Sequence, residues 1–157
     1  MSHLTRFKFF LWYFGCFKVA LIGYVRPRLI KLTDNDIVIR LPLRRRTRNH
    51  LNSMYFGALA VGADLAGGLH GFYHANQAKC SVSLVFKSFQ AQFLRRPESD
   101  VYFVSTMGNS VKKMIEESKI SGERINKPIT IKAYTDYPKL EDEVAHFILE
   151  LSVKVKK

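Results

Sequence analysis

A chain of 157 residues, 47% hydrophobic and 13% aromatic, can bury one core, which excludes disorder and removes the need for a disulfide scaffold or structural metal. Its two cysteines, Cys16 and Cys80, are too few and too far apart for a disulfide framework or a CxxC pair, and are expected as reduced core residues of a cytoplasmic protein. The formal net charge of +12 calls for an anionic partner, and half of that excess lies between Arg26 and Arg48, where eight basic residues face only Asp34 and Asp36.

Residues 7–24 are apolar and follow Arg6, the order of a signal or anchor segment. Lys8 and Lys18 interrupt the stretch, a spanning helix wants ~20 nearly uncharged residues, and no small-residue cleavage site follows. The segment reads as an N-terminal helix over residues 1–25, packed on the domain or lying at a membrane surface. Pro27 then forces an extended entry. Two strands follow, residues 28–32 and 37–43, around a turn from Thr33 to Asp36. In the second, Ile37, Ile39, Leu41 and Leu43 share one face.

After a basic loop, residues 53–74 contain no proline and are rich in Ala, Leu and Gly, as in a helix buried on most faces. Asn52 or Ser53 suits its N-cap. Asp64 is the only acid in this helix, and a lone carboxylate there is unfavourable unless hydrogen bonds or a partner compensate its lost hydration. From 81 to 94 a long strand switches parity, with Val82, Leu84 and Phe86 followed by Phe89, Ala91 and Phe93, which one bulge near Lys87 would produce. A strand over 101–107 precedes a short helix over 109–121, capped by Asn109, with Val111, Met114 and Ile115 on one side and Ser121-Gly122 at its end. Strands over 128–134 and 143–155 close the chain, the last alternating inward from Ala145 to Val155.

The order predicts an α+β fold: one long, curved antiparallel sheet wrapped around a central apolar helix, as a single domain over 1–157. Gly57, Gly62, Gly67 and Gly68 permit close approach of helix and sheet. This pattern resembles a hotdog-fold thioesterase, across nearly the whole chain. Thioesterases of the phenylacetyl-CoA type carry Asn-x-x-Gly-x-x-His-Gly-Gly and, after six intervening residues, an acid on the central helix. Asn49 matches the Asn, Gly57 the last Gly and Asp64 the acid. Asn52, Tyr55 and Phe56 stand where the first Gly, the His and the other Gly would be. The turn Arg46-Thr47-Arg48-Asn49-His50 is more similar to the hotdog branch with Arg-x-Arg-Asn-His before its helix.

Gly57 and Asp64, two helical turns apart, lie on one face. In the first turn the Gly57 N–H is an orphan donor at the positive end of the helix dipole, suited to polarise a thioester carbonyl. Asp64 lies ~10 Å further along the axis, too far to reach that carbonyl from the same subunit. The resemblance implies a homodimer, or dimer of dimers, in which Asp64 of one subunit faces Gly57 and Asn49 of its partner. There Asp64 acts as general base toward water or attacks the thioester directly. Asn49 orients the carboxylate or the water, and Tyr55 and Phe56 border the substrate. The alternative is that Asp64 caps a neighbouring backbone group or pairs with an Arg across a dimer.

Arg44, Arg45, Arg46 and Arg48 either hold the phosphates of coenzyme A or form a solvated loop. No nucleic-acid motif or aromatic platform accompanies them. His70 and His74 share a helical face at zinc-binding spacing but lack a third ligand, so no metal is expected. His50 is expected to bond backbone in the turn. The expected activity is acyl-CoA thioester hydrolysis without a further cofactor, with an apolar acyl chain. Its rival is acyl-thioester or lipid binding without turnover, and docking of the basic face and first helix on an anionic membrane is compatible with either.

Overall fold

A computed structural model describes residues 3–156. The elements in chain order are α1 (His3–Phe17), α2 (Ala20–Val25), β1 (Arg28–Leu32), β2 (Ile37–Leu41), α3 (Phe56–Gln77), β3 (Ser81–Phe93), β4 (Val101–Ser105), α4 (Gly108–Ser121), β5 (Ile125–Tyr134) and β6 (Glu143–Lys156). The six strands form one antiparallel sheet in the order β1-β2-β4-β5-β6-β3. One face of the sheet wraps α3, whose buried side chains join Ile39, Phe103, Ile131, Phe147 and Leu149 in a single core. This is the expected α+β architecture.

The alternation of β6 explains its place between β5 and β3, with one face against the core. Ala145, Phe147, Leu149, Leu151 and Val153 are fully buried, while Val155 at the end is only half-buried. On its far side lies β3, an edge strand with a register shift between Phe86 and Phe89, where the bulge was expected. The extra residue returns Phe89 and Phe93 to the inner face, where their rings meet Phe147 at 5.7 and 6.1 Å. Yet from Lys87 to Phe93 the strand is exposed, because no element of the same chain covers that end.

The helix expected over 1–25 is two helices; Met1 and Ser2, and Lys157 at the other end of the expected domain, lie outside the described residues. The break falls at Lys18 and Val19, whose N–H groups both donate to the Phe14 carbonyl. Gly15 and Gly23 let α1 and α2 touch backbone to backbone, since a Cβ on Gly23 would stand 2.4 Å from the Gly15 oxygen. The hairpin is therefore a packing unit rather than one rod. Cys16 is exposed and Cys80 half-buried, both as free thiols, so neither is the core residue expected. A Cys at position 16 points outward because Phe7, Leu11 and Gly15 already form the buried stripe of α1.

The central helix begins at Phe56, three residues later than the sequence suggests, and ends three residues later, at Gln77. Neither Asn52 nor Ser53 caps it. Asn52 adopts a left-handed φ of 61°, and the N–H groups of Met54 and Tyr55 donate to the carbonyls of Pro97 and Thr47. Those nonlocal bonds hold residues 54 and 55 extended, and Tyr55 becomes an N-cap without a side-chain bond. At the other end, Tyr73 and Gln77 donate to the Asp34 carboxylate, so the last turn is tied to the β1–β2 turn. Gly62 meets the Phe103 ring so closely that a Cβ there would lie 2.3 Å from it.

Candidate functional site

Asp64 is where the fold and the chemistry of the chain diverge. It sits mid-helix on α3, half-buried, and among the described residues no hydrogen bond or ion pair reaches its carboxylate. Burial alone pushes its pKa above the usual carboxylate range, with no neighbouring charge to draw it back. The alternative of a capping or Arg-paired Asp64 has no partner in the chain itself. Asp64 opens into an apolar cavity of about 350 Å³ between α3, the inner face of the α1–α2 hairpin and β3, with Phe10, Phe14, Phe72, Leu84 and Phe86 in its walls. A carboxylate in such a pocket holds little water, which makes it a stronger base toward any water that enters.

Gly57 lies in the first turn of α3, as the motif requires. The N–H groups of Phe56 and Gly57 find no acceptor among the described residues, whereas those of Ala58 and Leu59 bond to the Tyr55 carbonyl. These free donors, at the positive end of a 22-residue helix, suit a developing oxyanion. The Tyr55 ring packs over this turn, so close that a Cβ on Gly57 would stand 2.5 Å from its Cε1. Tyr55 and Phe56 are exposed, their rings 4.8 Å apart, and Phe56 meets Phe93 at 6.5 Å.

A second cavity of about 610 Å³ opens here, between the turn before α3 and the end of β3. Asn49, His50, Tyr55 and Phe56 line it, facing Phe93, Arg95 and Arg96. Asn49 is held inside the turn. Its side-chain oxygen accepts from the N–H groups of Leu51 and Ser53 at 2.9 and 3.1 Å, and its amide donates to the Ser53 hydroxyl at 3.0 Å. One amide hydrogen is left for a ligand. His50 is exposed at the rim rather than bonded to backbone.

None of Arg44, Arg45, Arg46 or Arg48 lines either cavity. Arg46 instead donates to the Tyr24 carbonyl at 3.0 Å and lies over the Tyr24 ring, which places the basic loop against α2. The cations beside the helix N-terminus are Arg95, paired with Asp142, and Arg96, which is more exposed. A sequence signal for them existed: two arginines follow directly on the aromatic end of the bulged strand. The aromatic wall of the Asp64 cavity, from α1, had no local signal.

His70 and His74 are buried and serve structure. Their Nε2–H groups donate to the carbonyls of Thr33 and Asp34 at 3.2 and 3.0 Å, clamping the β1–β2 turn to α3. Among the described residues no cluster could hold a metal ion. No described helix is long and apolar enough to cross a membrane.

A central helix wrapped by a long antiparallel sheet is the hotdog fold. Residues 8–148 match a family described as a domain of unknown function, DUF4442, and the chain belongs to that family. No curated protein matches the sequence. Among solved structures, a protein of unknown function from Chlorobaculum tepidum is 9% identical, with a TM-score of 0.83 over 98% of this chain and 97% of its own. A protein from Pseudomonas aeruginosa, named a probable thioesterase, is 18% identical with a TM-score of 0.77 over 94% of this chain and 95% of its own. A thioesterase from Haemophilus influenzae is 16% identical with a TM-score of 0.64, covering 99% of this chain and 92% of its own. At such identities the likeness is one of fold.

Proposed function

We propose that the protein hydrolyses the thioester of an apolar acyl-CoA at a site assembled from two subunits. One observation carries the reading: the same helix bears an unpartnered carboxylate facing an apolar cavity and, at its start, free N–H groups of Phe56 and Gly57 beside a second cavity that Phe56 lines. Neither cavity holds both groups, and a second copy supplies the missing half. The exposed end of β3, with its unpaired edge and exposed Val85, Phe89 and Phe93, offers a surface on which a homodimer, or a dimer of dimers, forms.

In that assembly Asp64 takes a proton from water, and the resulting hydroxide attacks the thioester carbon. The N–H of the partner's Gly57 holds the oxyanion. Collapse of the tetrahedral intermediate breaks the C–S bond, and the departing thiolate takes the proton from Asp64. Direct attack by Asp64, with an anhydride that water then opens, uses the same groups. Arg96 and the remaining Asn49 donor border the path of the coenzyme A phosphates, and no cofactor is needed beyond the one the substrate carries. Two free thiols and a coenzyme A substrate suit a cytoplasmic location.

The test is thiol release from a panel of acyl-CoAs, comparing the native protein with Asp64→Ala. Hydrolysis that disappears in the variant is the expected result; equal rates would remove Asp64 from the chemistry. One observation favours a second reading, acyl-thioester binding without turnover: the Tyr55 ring shields the turn that should meet the carbonyl. Saturable binding of an acyl-CoA with no thiol released at any chain length would establish it.

A further inference from the structure

The α1–α2 hairpin has two apolar faces, and only one is buried. Phe7, Leu11 and Gly15 of α1, with Ile22 and Val25 of α2, pack on the body. Phe9, Trp12, Phe17, Leu21 and Tyr24 point the other way, each with more than half of its surface exposed. On α1 the spacing 9, 12, 13, 17 is one helical stripe, so Phe9, Trp12, Tyr13 and Phe17 form a contiguous aromatic face, with ring contacts linking all four. At 100° per residue, Arg6 and Lys8 fall on its two borders.

The charge around this face is of one sign. The first 33 residues hold six basic side chains and no acid. A groove of about 750 Å³ beside Trp12 is lined by Lys8, Arg26 and Arg28, none of which has an ion-pair partner among the described residues. The loop carrying Arg44 and Arg45 joins the same side, because Arg46 is fastened to Tyr24. Exposed aromatics ringed by unpaired cations complement a surface that is apolar within and anionic at its rim. A second copy packed here would oppose cation to cation, which disfavours it as the occupant.

We infer that the α1–α2 hairpin docks the protein on an anionic phospholipid bilayer, with Phe9, Trp12 and Phe17 in the interface and Lys8, Arg26, Arg28 and Arg45 on the headgroup phosphates. The inner face of the same hairpin, through Phe10, Phe14 and Val19, walls the cavity that holds Asp64. Docking therefore sets that cavity beside the acyl layer. Resting on the thioesterase reading, this makes the substrate a long-chain acyl thioester that partitions into membranes rather than a short, freely soluble one.

Trp12 is the single tryptophan of the chain, so its emission reports on this face alone. The full-length protein is mixed with vesicles of phosphatidylcholine, or of phosphatidylcholine with roughly one third phosphatidylglycerol. Co-sedimentation and a blue shift of Trp12 are expected with the anionic vesicles, and both should weaken as salt shortens the Debye length from about 10 Å at 0.1 M to about 3 Å at 1 M. Phe9→Ala with Phe17→Ala, which keeps the reporter, should weaken binding about tenfold or more. Arg45→Glu, fully on the surface, should weaken it about fivefold or more.

Equal binding to neutral vesicles, or none to anionic ones, overturns the inference. So do variants that bind as the native protein does while circular dichroism shows them folded. A blue shift that grows with protein concentration in the absence of lipid, with a rise in mass, assigns the face to a second copy and also overturns it. Because binding is read without turnover, vesicle binding by a protein inert on every acyl-CoA would sink the hydrolase reading alone. Hydrolysis without vesicle binding would sink this one alone.

Discussion

Asp64 and Gly57 stand seven residues apart on one helix, yet Asp64 lines a cavity beside the N-terminal hairpin while Gly57 follows Phe56, which lines a different cavity toward the end of β3. The ~10 Å between them along the helix axis is too long for one carbonyl to meet both groups. On the proposed reading a single chain holds two half-sites, and the chemistry is a property of the assembly. That separation makes subunit mixing a sharp test.

Asp64→Ala and Gly57→Pro should each lower the hydrolytic rate by about a hundredfold or more, the first through the base and the second through the lost N–H donor. Proline in the first turn forfeits no intrahelical hydrogen bond, but its ring must displace the exposed Tyr55 side chain, so circular dichroism should accompany the second variant. Mixed and allowed to exchange, the two inactive proteins should recover about a quarter of the native rate, because half the dimers are mixed and each has one complete site. No recovery would place both groups in one subunit's site.

Asn49 separates positioning from folding. Asn49→Ala removes the acceptor of two backbone N–H groups and should cost about 2 kcal/mol of stability, seen as a lower urea midpoint. Asn49→Asp keeps those acceptors and loses only the amide donors, so it should unfold close to the native midpoint. If its hydrolytic rate nevertheless falls, the free amide hydrogen of Asn49 acts on the substrate.

Acid should loosen the clamp between α3 and the β1–β2 turn. Burial lowers the His70 pKa to about 4, against 6.5 for the free side chain, with His74, Asp36 and Asp34 as the surrounding charges. Below pH 6.5 the unfolded chain binds a proton that the folded one refuses, so stability falls between pH 6.5 and 4. The loss reaches on the order of 3 kcal/mol at the lower end. Urea midpoints at pH 7 and pH 4.5 should diverge in the native protein and draw together in His70→Gln, which keeps an N–H donor for Thr33 without a titrating ring.

Gly62→Ala would ordinarily favour a helix, but the added methyl meets the Phe103 ring in a fully packed core. The overpacking should outweigh the helix preference and destabilise the fold by about 1–3 kcal/mol. Thermal unfolding measures it. Phe103→Leu in the same chain should recover part of the loss, since it removes the atoms in the way.

Much of the sheet was legible because a strand repeats every two residues and its faces differ in polarity. The parity switch between Phe86 and Phe89 located the bulge, and the run from Ala145 located the long last strand. The start of α3 was not legible. Its extended entry depends on Pro97 and Thr47, remote in sequence, while Ser53 looked like an ordinary cap. The split of the first helix was hidden for a similar reason, since Gly15 matters only once Gly23 is folded against it.

Composition and periodicity alone determined the class of fold, the apolar central helix and the isolation of Asp64, because these depend on which residues repeat and which do not. Tertiary structure decided what each charged residue faces. It turned the basic run at 44–48 toward α2, brought Arg95 and Arg96 to the helix N-terminus, and set the hairpin between Asp64 and the outside. Charge is read along the chain, but the partner of a charge is chosen in space, by contacts between segments that no local pattern connects.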